Sequence, residues 1–236
     1  MVNVQGVLDP VRVCILIPVY NECKAIGRLV ESLKRKGFAV VVVDDGSTDQ
    51  SGKAAQEKGA LVIRHDQKQG KGHSLQDGFD YILQQENYDG VITLDGDGQH
   101  DLEDIDQFLV KAQEHPDSII TGTRMANPRG MPLVRLWTNR LMSGVISFLC
   151  RQKIPDTQCG FRFISCSVLK PLKLTSSDFQ IETEVLIKAS KKGFKIYSVP
   201  IKTIYRGEAS KINPVVDTFR FLVYIIREIC SPSSSS

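Results

Sequence analysis

The segment GVITLDGDGQH, residues 90–100, joins a short apolar run to two aspartates that stand one residue apart. Its first four residues have the β-branched, apolar character of a strand buried on both faces. The glycines beside the two aspartates are typical of a turn. The segment therefore predicts a buried strand that ends in an acidic loop.

Similar apolar runs lie on both sides of this segment, and amphipathic patterns fill the intervals between them. The predicted strands are VRVCILIP (11–18), AVVVVDD (39–45), ALVIRH (60–65), GVITLDGD (90–97) and SIITGT (118–123). The predicted helices are 24–36, 51–58 and 74–85. This alternation predicts an α/β fold in which helices flank a mostly parallel, Rossmann-like sheet. The second half, with longer apolar helices and the short strands GFRFIS and FKIYSVPI, is interpreted as the acceptor side of the same fold.

Composition excludes several classes of protein. The 236 residues are 42% hydrophobic and 24% charged, which is enough for a sizeable core. The net charge is only +3 and its charges are interspersed, so nucleic acid is not an expected partner. The six cysteines form no C-x-x-C pair, which favours a reduced, cytoplasmic protein. Neither a signal peptide nor an apolar run of about 18 residues is expected from the pattern.

Polar and acidic residues follow three of the predicted strands. They occur in PVYNE after the first strand, DDGSTD after the second and DGDGQH after the fourth. Parallel α/β sheets bind ligands at the carboxyl ends of their strands. Any one of these loops is explained by turn propensity alone, but three acidic strand ends in one sheet predict a single site.

Three interpretations of DGDGQH are open. Asp95, Asp97 and Gln99 match the first ligand positions of a calcium loop, but His100 stands where the turn needs glycine. The same letters resemble the nucleophile motif of haloacid dehalogenase hydrolases, which in that family comes near the start of the catalytic domain. The third interpretation is an Asp-x-Asp site in which oxygen ligands hold Mg²⁺ or Mn²⁺ against a diphosphate.

The motifs IPVYNE, VVDDGSTD, GKGHSL, LDGDGQH, GTR and DTQCGFR stand in one order at predicted strand ends. Together they resemble the family 2 glycosyltransferases with the GT-A fold, and most closely the dolichyl- and polyprenyl-phosphate hexosyltransferase branch that includes the dolichyl-phosphate mannose synthases. The resemblance implies a GT-A domain over residues 1–211. The apolar pattern of residues 212–230 predicts an amphipathic C-terminal helix, and the serine-rich residues 231–236 predict a disordered tail.

The resemblance also implies a set of site residues. The nucleotide-sugar ligands would be Pro18, Tyr20, Glu22, Val43, Asp45, Lys71, Asp95, Gly96, Asp97, Arg124, Arg206 and Lys211. The metal ligands would be Asp95, Asp97 and Gln99. Lys71 and Gly72 are predicted just ahead of a helix, where free N–H groups attract anions. Structural alternatives remain open for Tyr20 as a packing aromatic and for Glu22 as a helix cap.

The implied activity is inverting, metal-dependent transfer of a hexose from a GDP-mannose or UDP-glucose type of donor to a polyprenyl phosphate. Asp97, Asp156 and Arg206 are the predicted catalytic residues. A hydroxyl acceptor on a glycan or other small molecule is the alternative, and it would need a carboxylate such as Asp156 to take its proton. Asp156 is also explained as a turn former after Pro155. A non-catalytic nucleotide-sugar binder is a more distant alternative.

Two apolar segments bear on the acceptor. The segment LVRLWTNRLMSGVISFLC carries Arg135, Asn139 and Arg140, which the branch uses near a membrane surface. The other is the predicted C-terminal helix at 212–230, and packing of that helix into the core is the alternative. We therefore expect a cytoplasmic protein that contacts the cytoplasmic face of a membrane or a membrane partner peripherally.

Overall fold

A seven-stranded sheet, in the order β3-β2-β1-β4-β6-β5-β7, organises the computed structural model, which describes residues 11–125, 131–178 and 180–202. The strands are β1 Val13–Val19, β2 Ala39–Asp44, β3 Leu61–Arg64, β4 Gly90–Thr93, β5 Ser118–Thr123, β6 Arg162–Ser165 and β7 Lys195–Pro200. The helices are α1 Cys23–Arg35, α2 Ser51–Glu57, α3 Lys71–Gln85, α4 Ile105–Glu114, α5 Leu133–Cys150, α6 Cys166–Leu169 and α7 Gln180–Lys191. A 3₁₀ turn, Leu102–Asp104, precedes α4.

The predicted α/β fold with a mostly parallel sheet is confirmed. β1 pairs in parallel with β2 and with β4, and β2 pairs in parallel with β3. Only β6 runs the other way among the described strands, between β4 and β5, and β7 returns to a parallel pairing with β5. The two short strands of the second half, β6 and β7, both join this one sheet.

The core forms where the central strands meet the helices that cover them. Ile15 and Ile17 on β1 and Ile92 on β4 are fully buried. The apolar side of α1, predicted from its spacing, is also buried, and its side chains are Ile26, Leu29, Val30 and Leu33. This packing fixes the central strands, and with them the loops at their carboxyl ends. Among the described residues, no helix combines the length and hydropathy needed to cross a bilayer.

One boundary in the sequence prediction was wrong in a way that matters for the site. Helix α3 begins at Lys71, three residues before the predicted start, so Lys71 and Gly72 form its first turn. Gly70 adopts a φ of 104°, which a residue with a side chain rarely adopts, and this turns the chain into the helix. Gly70 and Gly72 have low helix propensity, so the local sequence does not indicate this earlier start.

Arg162 on β6 is 2% exposed and is the largest of the fully buried side chains. Its guanidinium donates hydrogen bonds to three backbone carbonyls, those of Cys159, Thr157 and Glu182. These bonds tie the loop before β6 to the first turn of α7. Because a buried cation needs partners, Arg162 and the three carbonyls depend on each other.

We expect Arg162→Met to lower the free energy of unfolding by about 3 kcal/mol, since it leaves three buried carbonyls without their donor. Urea denaturation followed by circular dichroism measures the change. Arg12→Met is the matched control, because the Arg12 pair with Asp89 is solvent-exposed and should contribute little. Equal stability of the two variants would contradict the role given to Arg162.

Candidate functional site

The carboxyl ends of β2, β1 and β4 lie side by side at one edge of the sheet. Pro18 pairs with Val43, so two of the predicted nucleoside contacts are neighbours on adjacent strands. The Leu94 N–H donates to Leu16 O at 3.0 Å, which carries the pairing of β1 and β4 up to the residue before Asp95. The structure therefore brings the three predicted acidic loops together.

The loops that follow β1 and β2 are tied by hydrogen bonds. Asn21, at a left-handed φ of 55°, accepts the Thr48 N–H through its side-chain oxygen at 2.9 Å. The Asn21 N–H donates to the Ser47 hydroxyl and the Glu22 N–H to the Ser51 hydroxyl. This network fixes one rim of the site, on which Glu22 lies.

Tyr20 lies on the same rim, directly after β1. The Lys68 ammonium stands 4.1 Å from the centre of its ring, a cation–π contact. The ring is partly exposed, so it is not simply a core-packing aromatic. Its position is compatible with stacking against a nucleobase.

Asp45, directly after β2, is buried and held by donors from the segment that leads into α3. Its carboxylate accepts the backbone N–H groups of Gln69 at 2.7 Å and Gly70 at 2.9 Å. One oxygen also meets the His65 imidazole at 2.9 Å. Sequence reasoning did not identify His65, because a single histidine after an edge strand carries no recognisable pattern.

Lys71 forms an ionic bridge between the Asp95 loop and α7. Its ammonium lies 2.6 Å from an Asp95 carboxylate oxygen and 2.8 Å from one of Glu182. Burial alone would raise the pKa of Asp95, but the charge of Lys71 and the His100 hydrogen bond bring that pKa well below its ordinary value. Glu182 is a second residue that sequence reasoning missed, since only the fold brings α7 to this loop.

Asp97 stands in a different electrostatic environment from Asp95. One oxygen accepts the Gln99 N–H at 2.9 Å, which tightens the loop. Burial and then the negative charge of Asp95 raise the pKa of Asp97 above its ordinary value. Two carboxylates one residue apart are therefore perturbed in opposite directions.

Two glycines allow the Asp95 loop its close packing. A β-carbon on Gly96 would stand 3.3 Å from the Val19 Cγ2 atom, tighter than most such contacts. A β-carbon on Gly160 would approach an Asp95 carboxylate oxygen to 2.6 Å, which is too close. Gly160 belongs to the DTQCGFR motif, so this close packing joins that motif to the LDGDGQH motif.

His100 packs behind Asp95. Its Nε2 lies 3.3 Å from an Asp95 oxygen, and its ring is 5.1 Å from the ring of Phe161, centre to centre. Its Nδ1 is buried and has no hydrogen-bond partner. The loop therefore carries an unsatisfied buried polar atom next to its carboxylates.

The donor types in this loop fit a hard divalent cation. Asp95, Asp97 and Gln99 supply carboxylate and amide oxygens, and the positive charge of Lys71 already lies on Asp95. No group of three or more His, Cys, Asp or Glu side chains in the described residues is arranged to hold a metal ion. The oxygen donors of Asp95, Asp97 and Gln99 therefore fit the cation by their chemistry.

Asp156, in the DTQCGFR motif, is completely buried. Arg124 donates two side-chain hydrogen bonds to it, at 2.8 and 2.9 Å, and Asn139 of α5 donates a third at 2.8 Å. Burial opposes ionisation, but the Arg124 hydrogen bonds and charge lower the pKa of Asp156 below its ordinary value. This carboxylate is held as an anion by fixed donors.

The predicted residues Arg206 and Lys211 lie outside the described residues, as does the predicted helix at 212–230. Free thiols are present at five of the cysteines, as the sequence predicts: Cys14, Cys23, Cys150, Cys159 and Cys166. Burial raises the pKa of Cys14 and of Cys159, each to about 12.

Comparison with known proteins adds three findings. The model of the family described as "Glycosyl transferase family 2" matches residues 14–172. A UDP-N-acetylglucosamine–dolichyl-phosphate N-acetylglucosaminyltransferase of Methanococcus voltae is 30% identical over 81% of this chain and 85% of its own. An undecaprenyl-phosphate mannosyltransferase of Micrococcus luteus is 27% identical over 87% of this chain and 89% of its own.

Among solved structures, glucosyl-3-phosphoglycerate synthase from Mycobacterium tuberculosis, in complex with Mn²⁺, uridine diphosphate and phosphoglyceric acid, superposes with a TM-score of 0.72. The match covers 96% of this chain and 81% of that one, at 18% identity. The predicted GT-A fold is confirmed. The resemblance to family 2 and to its polyprenyl-phosphate hexosyltransferase branch is confirmed as well, and the chain is a glycosyltransferase.

We expect Asp97→Asn to stabilise the fold at neutral pH by up to about 1 kcal/mol in the absence of divalent cation. Because the pKa of Asp97 is raised on folding, its ionisation favours the unfolded state at every pH above that raised pKa. The gain should shrink as pH falls through the raised pKa and vanish below the ordinary value of 3.8. Urea unfolding across this pH range in chelator measures it.

Asp80→Asn makes the same chemical change on the exposed face of α3 and serves as the control. It should leave the free energy of unfolding nearly unchanged at each pH. A loss of stability in Asp97→Asn at neutral pH would show that the charge of Asp97 is compensated within the protein.

Proposed function

We propose that this chain, which belongs to glycosyl transferase family 2, moves a hexose from a nucleotide diphosphate sugar to a polyprenyl phosphate with the help of Mg²⁺ or Mn²⁺. One observation carries the proposal. The Asp95 loop collects oxygen ligands on the donor side, while Asp156 on the acceptor side is locked in an ion pair with Arg124. The site thus has charge to bind a diphosphate but no ready base in its described acceptor-side residues.

The donor nucleoside would bind between the loops after β1 and β2. Asp45 would accept a hydrogen bond from a base N–H group, Tyr20 would stack on the base, and Pro18, Val43 and Glu22 would shape the pocket. Both the GDP-mannose and the UDP-glucose type of donor supply such an N–H group. The names of the relatives, which differ in sugar, support the class of donor and not its identity.

Asp95, Asp97 and Gln99 would hold the cation, which neutralises negative charge on the departing nucleoside diphosphate. The Lys71 ammonium lies on the same Asp95 carboxylate, so ammonium and cation would compete for it. Lys71, once displaced, would offer its charge to the diphosphate. Arg124, Arg206 and Lys211 are proposed to bind the donor diphosphate or the acceptor phosphate, as basic side chains suited to such oxyanions.

The acceptor step would be a direct displacement. An oxygen of the acceptor phosphate forms the new bond to the sugar carbon as the bond to the nucleoside diphosphate breaks, with inversion. A phosphate monoester is already anionic near neutral pH, so no base has to remove a proton. Positioning and charge stabilisation then supply the rate. In this proposal Asp156 orients Arg124 and Asn139, and its role as a base stays a prediction for a hydroxyl acceptor.

Transfer should be detected by incubating the protein with Mn²⁺, radiolabelled nucleotide sugars and short polyprenyl phosphates, followed by organic extraction. Asp97→Ala should lower the rate at least about 100-fold, because it removes a cation ligand. Asp80→Ala, on the exposed face of α3, is the control and should retain the rate.

Label that stays in the aqueous phase with every donor would contradict the lipid acceptor. Label that instead moves to a glycan or another hydroxyl compound would favour the alternative acceptor, and loss of that transfer in Asp156→Asn would identify the base. Full activity of Asp97→Ala, or of the wild type in chelator, would contradict the cation.

Helix α5 supplies a surface for the acceptor membrane. Its exposed apolar side chains lie at helical spacing, and the buried side of the same helix carries Asn139, which binds Asp156. The exposed set is Leu133 at 72%, Val134 at 68%, Trp137 at 69%, Leu141 at 68% and Phe148 at 82%. The helix holds no acidic residue, whereas Arg135 and Arg140 fit anionic lipid headgroups. We propose that this face lies on an anionic membrane surface, which would bring the acceptor phosphate to the Arg124 side of the site.

Trp137 is the only tryptophan of the chain, so its fluorescence reports directly on this face. Adding phosphatidylglycerol vesicles should shift its emission to shorter wavelength, and Leu141→Glu should weaken vesicle binding at least about tenfold. Val110→Glu, at a position 57% exposed on α4, is the matched control and should bind like the wild type. Unchanged emission with vesicles, or equal weakening by both substitutions, would contradict a membrane contact through α5.

A further inference from the structure

His65 lies at the end of β3 between two carboxylates. Its Nδ1 is 2.9 Å from an oxygen of Asp45, and its Nε2 is 2.8 Å from an oxygen of Asp77. The side chains of His65 and Asp45 are each 5% exposed, so water is largely excluded from their contact, whereas the Asp77 side chain is 49% exposed. Asp45 follows β2 and Asp77 belongs to α3. His65 therefore links the loop after β2, where the nucleoside is proposed to bind, to helix α3.

The contacts of the ring determine its protonation. An ionised carboxylate only accepts hydrogen bonds, and a neutral imidazole has one N–H to donate. The imidazolium has two, so it alone satisfies both carboxylates. Burial opposes the charge, but the hydrogen bonds and charges of Asp45 and Asp77 raise the pKa of His65 above its ordinary value. Among the residues that the structure describes, Asp45 and Asp77 are the charged groups paired with the ring, while the adjacent Arg64 pairs with Asp44.

The contact defines what Asp45 can do. One Asp45 oxygen accepts from His65 and from the Gln69 N–H, and the other accepts from the Gly70 N–H. These bonds use three of about four acceptor positions on a carboxylate and fix its plane. When ionised and held in this way, the Asp45 carboxylate can accept about one more hydrogen bond and has no proton to donate.

We propose that His65 is a positioning residue that keeps Asp45 an oriented acceptor, and that this makes the nucleoside site select bases with a ring N–H. The inference rests on the proposed function, in which Asp45 contacts the base. Uracil and guanine present a ring N–H donor on their pairing edge, whereas cytosine and adenine present an acceptor nitrogen there. A buried acceptor left facing an acceptor nitrogen disfavours the wrong base strongly.

The test measures nucleotide affinity by calorimetry in chelator, so that cation binding plays no part. The probes are UDP against CDP and GDP against ADP. Wild-type protein should prefer UDP to CDP, or GDP to ADP. Its affinity for the preferred nucleotide should fall as pH rises through the raised pKa of His65, because the neutral ring donates to only one carboxylate.

His65→Gln should bind the preferred nucleotide about tenfold more weakly at pH values below that pKa. Its discrimination between the paired bases should narrow, and its affinity should no longer change over this pH range. Asp77→Asn, which removes one of the two carboxylates that favour the imidazolium, should move the pH midpoint of binding downward. A merely structural histidine would not produce such a shift.

His115→Gln is the matched control, since His115 stacks on Tyr197 at the edge of α4 and makes no contact with Asp45. It should bind nucleotides with the wild-type affinity and pH profile. Wild-type affinity, base preference and pH profile in a folded His65→Gln protein would overturn the inference while leaving the proposed function standing. Should His65→Gln fail to fold, an unshifted pH midpoint in Asp77→Asn overturns it. If none of the four nucleotides binds in chelator, the same comparison is made with Mn²⁺ added. A wild-type protein that binds none of them under that condition as well would overturn the proposed function itself, together with the inference.

Discussion

The parallel pairing of β1 with β2 and with β4 is the constraint on which the candidate site depends. Strands that run in the same direction end at the same edge of the sheet, so their loops must share one space. The Pro18–Val43 pairing and the hydrogen bond from Leu94 to Leu16 fix how far each strand extends before its loop begins. An antiparallel β4 would have carried Asp95 to the opposite edge.

Gathering these loops concentrates negative charge, and one stretch of chain, residues 65–71, offsets it. His65 and the N–H groups of Gln69 and Gly70 bind Asp45, and Lys71 binds Asp95. Gly70, with its positive φ, turns the chain so that the N–H groups reach one carboxylate and the next side chain reaches the other. The carboxylates of Asp45 and Asp95 are therefore both bound by residues of a single turn.

The sequence predicted the sheet and the loops well because apolar periodicity and turn residues are local signals. Asp45, Asp95 and Asp97 were identified as residues of one site because each follows a strand. His65 and Glu182 were missed because their contacts join elements that are distant in the sequence. Such contacts produce no recognisable motif or residue spacing. The predicted start of α3 was wrong, because Gly70 and Gly72 have low helix propensity and hide the first turn. Glycine is required at both positions because the segment around Ser177 packs directly against them.

The pKa values of Asp97 and Asp156 are shifted in opposite directions, and this limits the chemistry that the site can perform. Burial and the charge of Asp95 leave Asp97 with a raised pKa, so under the proposed function a divalent cation would stabilise its ionised form. Asp156, by contrast, is saturated by Arg124 and Asn139, and its lowered pKa makes it a weak proton acceptor. A reaction built on this arrangement favours an acceptor that arrives already charged. Under the proposed function, that acceptor is a lipid phosphate. It would approach at the exposed apolar face of α5, and the buried face of the same helix contacts Asp156 through Asn139.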